Sequence, residues 1–244
     1  GYFDEGSSFS ELNYATIAAK KLNLKLNKIK ITKKDFIDNI EKIIYYLDEP
    51  CAGPGVFPQY IVSKFAKNNN FKVIFGGQGG DEIFGGYARY QIAYLEQSLK
   101  GSIYGNNESK QHIVSLNSIT DHLSNLKNYT EMISNFWSQN LFGDMEARYF
   151  SLINRMNNFE SILSKEFTNQ FSKEKIYEKF EYNFNNSAKS YIKKMTNFDL
   201  NYSLPSLLQV EDRVSMSCSI ESRCPFLDFR IIDLVNQIPP RYQY

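Results

Sequence analysis

Residues 71–90 read FKVIFGGQGGDEIFGGYARY, and the fold turns on them. Phe71–Phe75 is a short apolar run bounded by loop residues, the pattern of a buried strand in a parallel sheet. Six glycines follow, interleaved with Gln78, Asp81 and Glu82. Glycine lets the backbone approach a ligand and take positive φ. Successive amides at a helix start attract anions. From Asp81 to about Gln97 the apolar spacing turns helical. Strand, glycine loop and helix together put a candidate ligand loop at the carboxyl end of a strand, where open α/β sheets bind ligands. Asp81 and Glu82 would repel a bare phosphate, but they suit one if either ligates Mg²⁺. A tight turn with solvated acids is the competing reading, and this stretch alone leaves both open. No Gly-Lys-Ser/Thr follows, so the loop is not a Walker A motif.

Upstream, the pattern alternates. Tyr2-Phe3 reads as the tail of a strand. Ser8 and Glu11 have capping-box spacing, and residues 10–22 are expected to be helical. Residues 24–31 alternate as a strand does, with one slip. Thr32 is placed to cap a helix with Phe36, Ile37, Ile40, Ile43, Ile44 and Leu47 as its apolar stripe. Pro50 and Pro54, in DEPCAGPG at 48–55, end that helix. Pro58–Lys67 reads as another. Such alternation predicts an α/β unit with a parallel sheet. From about 102 the character changes: GSIYGNNESKQ reads as a polar linker, and 106–244 as mainly helical and rich in aromatics. The expected division is 1–101, an α/β nucleotide-binding part, and 102–244, a helical part of the same domain.

Composition excludes several functions. The chain has 244 residues and is 42% hydrophobic, ample for a core. Its net charge is +1, from 28 basic and 27 acidic residues, so no basic field calls for nucleic acid or an anionic membrane. No apolar run approaches a membrane span, and the first residues do not resemble a signal peptide. Cys51, Cys218 and Cys224 make no disulfide framework, which fits a reducing, cytoplasmic compartment. His112 and His122 are the two histidines, both in polar surroundings. A histidine metal site or a Ser-His-Asp triad is therefore not expected.

Two further clusters carry charge. In DEPCAGPGVFPQY, 48–60, acids at a helix end oppose the helix dipole, and a helix stop explains most of the stretch. In LPSLLQVEDRVSMSCSIESRCPFLDFRIID, 204–233, Glu211, Asp212, Arg213, Glu221, Arg223, Asp228 and Arg230 sit among small and apolar residues. They form either a structural ion-pair network or a site where an arginine holds a substrate carboxylate.

Taken together, these clusters resemble the synthetase domain of the asparagine synthetase family, of the N-type ATP pyrophosphatase group. The matching stretches are LDEP at 47–50, GGQGGDEIFGGYARY at 76–90, and LPSLLQVEDRVSM with SIESRCPFLD at 204–228. FDEGSSFSELNYATIAAKKLNL at 3–24 is similar to the segment after that family's pyrophosphate loop. The resemblance implies a parallel-sheet, Rossmann-like core, incomplete at its N-terminus here. It implies ATP-dependent amidation of aspartate through an acyl-adenylate, with AMP and pyrophosphate released. ATP and Mg²⁺ are the implied cofactors. Ammonia from glutamine is the implied nitrogen source, through a glutaminase domain expected in the full-length chain and not within these residues. The resemblance also leaves room for a homodimer. By match, Gly76, Gly77, Gln78 and Gly79 would meet the adenylate, and Asp81 would bind Mg²⁺. Glu82, Tyr87 and Gln78 would shape the reacting side of the pocket. Asp212, Arg213, Glu221 and Arg223 would read the substrate or brace the far wall.

Three departures qualify these implications. The family's S-G-G-x-D-S pyrophosphate loop should precede Gly1, and a lysine-bearing segment should follow Tyr244. Both are outside this sequence, which is expected to be a fragment inactive by itself. Gln78 stands where many members carry Glu; it hydrogen-bonds but cannot act as a base. That favours a subfamily with another carboxylate acceptor, such as a polysaccharide sugar acid, or a tolerated variant. A non-catalytic nucleotide-binding module is the alternative of a different class.

Overall fold

The computed structural model describes residues 10–51, 53–104, 120–154, 161–170, 172–186, 188, 190–239 and 242. In chain order it forms α1 (Leu12–Lys21), α2 (Lys33–Leu47), α3 (Val56–Asn68), β1 (Val73–Phe75), α4 (Gly80–Phe84) and α5 (Ala88–Tyr104). A 3-10 segment, Thr120–Tyr129, leads to α6 (Thr130–Trp137), α7 (Met145–Ile153), α8 (Lys165–Thr168), α9 (Lys173–Asn185) and α10 (Tyr191–Phe198). A π-helical turn, Asp199–Ser203, continues into α11 (Leu204–Ser217). Then come β2 (Glu221–Arg223), a 3-10 turn at Pro225–Leu227, and α12 (Phe229–Gln237). The chain is mainly helical, with one small parallel sheet among the described residues. It divides into two compact units: Gly1–Gln78 with Pro205–Pro225, and Gly79–Leu204 with Phe226–Tyr244.

In the first unit, β1 and β2 pair in parallel with Val73 opposite Glu221 and Phe75 opposite Arg223. The parallel strand after Phe71 is therefore present, but its expected burial is not: Val73 is 37% exposed and Phe75 74%. Only one neighbour pairs with it among the described residues, and the faces that helices cover in a parallel sheet stay open at Val73 and Phe75. β2 was not expected at all, because Glu-Ser-Arg carries no apolar signal. Pairing with β1 makes it a strand. The strand expected at 24–31 is likewise corrected: pairing reaches only a single bridge at Lys30. Tyr2-Phe3 and Ser8 lie outside the described residues.

Local chemistry sets α2. The Thr32 hydroxyl accepts from the Asp35 amide while the Asp35 carboxylate accepts from Thr32 N–H, a reciprocal cap that satisfies two otherwise orphaned donors. Ile43 and Leu47 join Ile31, Phe57, Tyr60, Ile61 and Val214 in the unit's core. Ile37 and Ile44, expected on the same stripe, are exposed. No residue of α1 is buried, although Tyr14, Ile17 and Leu22 keep helical spacing.

The second unit has an aromatic core: Tyr90, Tyr94, Tyr149, Phe180, Phe184 and Tyr191 with Ile192 and Met195. Phe184 stacks on Phe180 at 5.2 Å and on Tyr149 at 5.4 Å. Each such ring removes enough apolar surface to favour folding by about 2–3 kcal/mol. The single helix expected from Asp81 to Gln97 breaks into α4 and α5. Gly85 ends α4 at φ 72°, a left-handed conformation that glycine adopts without a Cβ penalty. The linker expected at 101–111 also differs: Gly101–Tyr104 is the last turn of α5, and 105–111 lies outside the described residues.

Candidate functional site

The first unit carries the start of the glycine loop. Gly76 N–H donates to the Arg223 carbonyl at 2.8 Å, extending the β1–β2 ladder by one bond. That amide is taken by the ladder and is not free for a ligand. Gly77 is exposed and has open space where a side chain would stand. Gly76 does not: a Cβ there would run into the carboxylate of Glu211. Glu211 is buried and accepts from the Ser222 hydroxyl. Glu211 on α11 and Ser222 on β2 thus fix the backbone at Gly76. Gln78 is half-buried.

The second unit carries the rest. Gly79 caps α4 at φ 87°, and the Leu227 side chain fills the space a Cβ would need. Both facts forbid any other residue without strain. The paired acids separate. Asp81 is exposed, with its carboxylate lying against Gly86. Glu82 is 1% exposed, and its Oε1 accepts from the Tyr87 hydroxyl at 2.7 Å. Burial, then the bond to Glu82, pushes the Tyr87 phenol well above its ordinary value. It stays protonated and donating. Behind Glu82 lies a cavity of about 10 Å³, also lined by Lys193, Thr196, Leu200, Ile232 and Asn236, with room for about one water. Lys193 donates to the Val235 carbonyl at 2.9 Å, and burial lowers its pKa.

Next to Tyr87 stands a network that the sequence does not advertise. The Arg89 guanidinium lies 3.7 Å above the Tyr87 ring centroid. Its Nε and Nη2 donate to Asp199 Oδ2 at 3.1 and 2.6 Å. The hydroxyls of Tyr90 and Tyr149 donate to the same oxygen, and Ser203 donates to Oδ1 at 2.8 Å. Asp199 has no exposed surface. Burial alone would lower the Arg89 pKa, but the two phenols and the Asp199 carboxylate outweigh it, and the net direction is upward. Arg89 lies within 71–90 and Asp199 is 110 residues away; no spacing rule joins them.

The third charged cluster comes together only in part. Arg213 reaches Asp48 at 3.1 Å, linking the DEPC and EDR segments at the surface. Glu221 and Arg223 pair with each other on β2 at 2.8 Å. Asp212 is exposed. Asp228 caps α12 by accepting from Arg230 N–H at 2.9 Å, and its carboxylate also pairs with the Arg230 side chain. All three cysteines are free, with Cys51 and Cys218 packed against the first unit's core. His112 lies outside the described residues.

Among the described residues, no group of three or more His, Cys, Asp and Glu gathers as a metal cage. Mg²⁺ does not require one, since it keeps several waters and uses one or two carboxylates plus phosphate oxygens. Asp81, exposed on a short turn, suits that role. Glu82, buried and bonded to Tyr87, does not.

The profile of the asparagine synthase family matches residues 1–244. Asparagine synthetase [glutamine-hydrolyzing] 1 of Bacillus subtilis (strain 168) is 26% identical over 96% of this chain and 35% of its own length. Amidase chry2 of Gibberella zeae is 22% identical over 98% of this chain and 36% of its own length. Asparagine synthetase [glutamine-hydrolyzing] 3 of Arabidopsis thaliana is 31% identical over 31% of this chain. The chain spans about a third of the length of the two relatives that it matches throughout. No solved structure matches. With the profile matched from end to end, this chain belongs to the asparagine synthase family.

Proposed function

We propose that the protein carrying this chain is an ATP-dependent carbon–nitrogen ligase that converts aspartate to asparagine. ATP would adenylate the side-chain carboxylate, ammonia would attack the acyl-adenylate, and AMP and pyrophosphate would leave. The observation that carries this reading is the separation of the paired acids. Asp81 faces solvent, where a cation and phosphate would lie, and Glu82 is buried under Tyr87. A merely acidic turn would solvate both.

Within that reading the Gly77 amide and the Gly76 carbonyl would meet the adenylate, as would Gln78 and Gly79. Asp81 would hold Mg²⁺, which supplies charge neutralisation at the phosphates. The Tyr87 hydroxyl would keep the Glu82 carboxylate aimed at the reacting side. Glu211 would hold the loop backbone, and catalysis would rest on positioning and charge. Arg213 and Arg223, each with a carboxylate neighbour, would brace the site with Asp212 and Glu221. A full parallel-sheet ATP-pyrophosphatase core, the division at 101/102, and ammonia from a glutaminase domain of a longer chain belong to this proposal. So do a homodimer and a cytoplasmic location. No helix among the described residues is long and apolar enough to cross a membrane.

Gln78 favours a second reading, the same chemistry on another carboxylate, because an amide there cannot take a proton from incoming ammonia. One measurement addresses both: ATP–pyrophosphate exchange by the full-length natural protein with a panel of carboxylic acids. Exchange with aspartate alone is the expected result. Exchange with another acid selects the second reading, and ADP as product or exchange with none overturns both.

A further inference from the structure

We infer that Arg89 and Asp199 are positioning residues for the Glu82–Tyr87 pair: the guanidinium clamped on buried Asp199 sits over the Tyr87 ring and holds its hydroxyl on Glu82. What the pair does to substrate rests on the ligase reading above; the clamp itself rests only on the geometry within one unit.

The contacts run in a line. Asp199 is buried and accepts four side-chain hydrogen bonds on Oδ2, two from Arg89 and one each from Tyr90 and Tyr149. Its position is therefore set by α5, α7 and the π-helical turn together. The Asp199 and Ser203 side chains bond across that turn, and such turns recur at functional sites. Arg89, on the first turn of α5, is fixed by Asp199 and covers one face of Tyr87 at 3.7 Å. Tyr90 meets the same ring edge-on at 5.5 Å. A ring covered on its face and packed at its edge has few orientations left, and in this one its hydroxyl reaches Glu82 at 2.7 Å. The role suits arginine and not lysine. Only a planar guanidinium both donates to a carboxylate in its plane and stacks its face on an aromatic ring. Among the described residues neither Arg89 nor Asp199 hydrogen-bonds to Glu82, whose partner is Tyr87; both act through Tyr87.

The alternative is a network that only stabilises the second unit's core. It would lower the melting temperature of variants and leave turnover per folded molecule unchanged. The test uses the full-length natural protein with Arg89→Lys, Tyr87→Phe and the double variant, each read by aspartate-dependent ATP–pyrophosphate exchange. A second readout is the fluorine resonance of 3-fluorotyrosine placed at position 87. Arg89→Lys keeps a cation beside Asp199 and removes the guanidinium from above the Tyr87 ring. Its kcat should fall by about 10- to 100-fold, as a misplacement of a positioned group by up to about 1 Å can cost, with KM for ATP changed less than about 2-fold. Adding Tyr87→Phe should cost no more than about 2-fold further, because residues acting through one hydroxyl are not additive. Additive losses, or wild-type kcat in folded Arg89→Lys, would overturn the inference. Should the wild-type enzyme exchange with no acid, the ligase reading fails and the fluorine arm decides alone. A shifted or broadened resonance in Arg89→Lys supports the clamp, and an unchanged one sinks it. If Arg89→Lys does not fold, Tyr149→Phe removes a single donor to Asp199 and should move the same two readouts less far in the same direction.

Discussion

Glu211 apart, which is buried against Ser222, the ion pairs of 204–230 and those of the helical region 88–199 behave in opposite ways. In the first, Glu221 with Arg223 and Asp228 with Arg230 are two residues apart and sit at the surface; Arg213 with Asp48 spans the sequence but is also exposed. In the second, Arg148 with Glu96 and Arg89 with Asp199 join distant segments in the interior. Dense charge in a sequence therefore does not mark where charge is costly. A surface pair exchanges water for a partner at little gain, about 0–1 kcal/mol. A buried pair has surrendered its water, so losing one member strands the other.

The sharpest break of this contrast is Arg148→Met. Arg148 and Glu96 are 2% and 1% exposed in their side chains, and the fork meets both carboxylate oxygens, at 2.8 Å from Nε and 2.5 Å from Nη2. The guanidinium also donates to the carbonyls of Phe136 and Gln139. Glu96 accepts from Phe142 N–H as well, so α5, α6 and α7 are pinned at one point. Stranding Glu96 should cost about 3–5 kcal/mol in urea unfolding. Arg148→Met with Glu96→Leu should recover much of that loss, since an apolar pair of similar volume is often no worse. A double variant as unstable as the single one would show that the carbonyl bonds matter more than the charge.

Asp199→Asn should cost less, about 2–3 kcal/mol. The shape is kept, and the Arg89 side chain retains 20% exposure, so water partly replaces the lost carboxylate. A loss equal to that of Arg148→Met would mean that the phenols of Tyr90 and Tyr149 depend on the charge as much as Arg89 does. Smaller again is Arg213→Ala. With 47% and 63% of the two side chains exposed, the change in unfolding midpoint should correspond to no more than about 1 kcal/mol and shrink in high salt. A loss above about 2 kcal/mol would sink the contrast and make the surface cluster structural.

How far the sequence revealed these features depends on how local their causes are. The α2 cap at Thr32 was legible because a hydroxyl residue stands just before the apolar stripe, and the structure adds Asp35, three residues on, as its reciprocal partner. The ends of α2 and the strand at β1 were also legible from local signals. The break between α4 and α5 had a visible signal, Gly85-Gly86, that helical spacing on either side outweighed. β2 had none, because its pairing partner supplies the reason for it to be a strand. At the candidate site, Gly76–Gly79, Asp81, Glu82 and Tyr87 lie in one contiguous stretch, and their roles come from the family resemblance. Their different fates were not legible, since the burial of Glu82 depends on tertiary packing. Asp199 was invisible because its partners come from α5 and α7, far away in the chain.

The smallest effect tests the local kind of charge, and its sign follows from chemistry. The Asp228 side chain accepts from the Arg230 guanidinium and from Arg230 N–H, and these bonds hold its carboxyl at about 2, below the ordinary 3.8. A carboxyl whose pKa is depressed in the fold adds stability that is fully present above its unfolded value. That stability is lost as pH falls through the folded one, so the window is about pH 4 down to about pH 2. Asp228→Asn should leave stability at pH 7 almost unchanged, because asparagine caps a helix about as well as aspartate. It should also flatten the decline of stability across that window relative to wild type. The measurement is the urea midpoint at half-unit steps of pH. Parallel curves for the two proteins would show that the pair forms without favouring the ionised carboxyl in the fold, and the surface charges of 204–230 would then be bystanders even to acid.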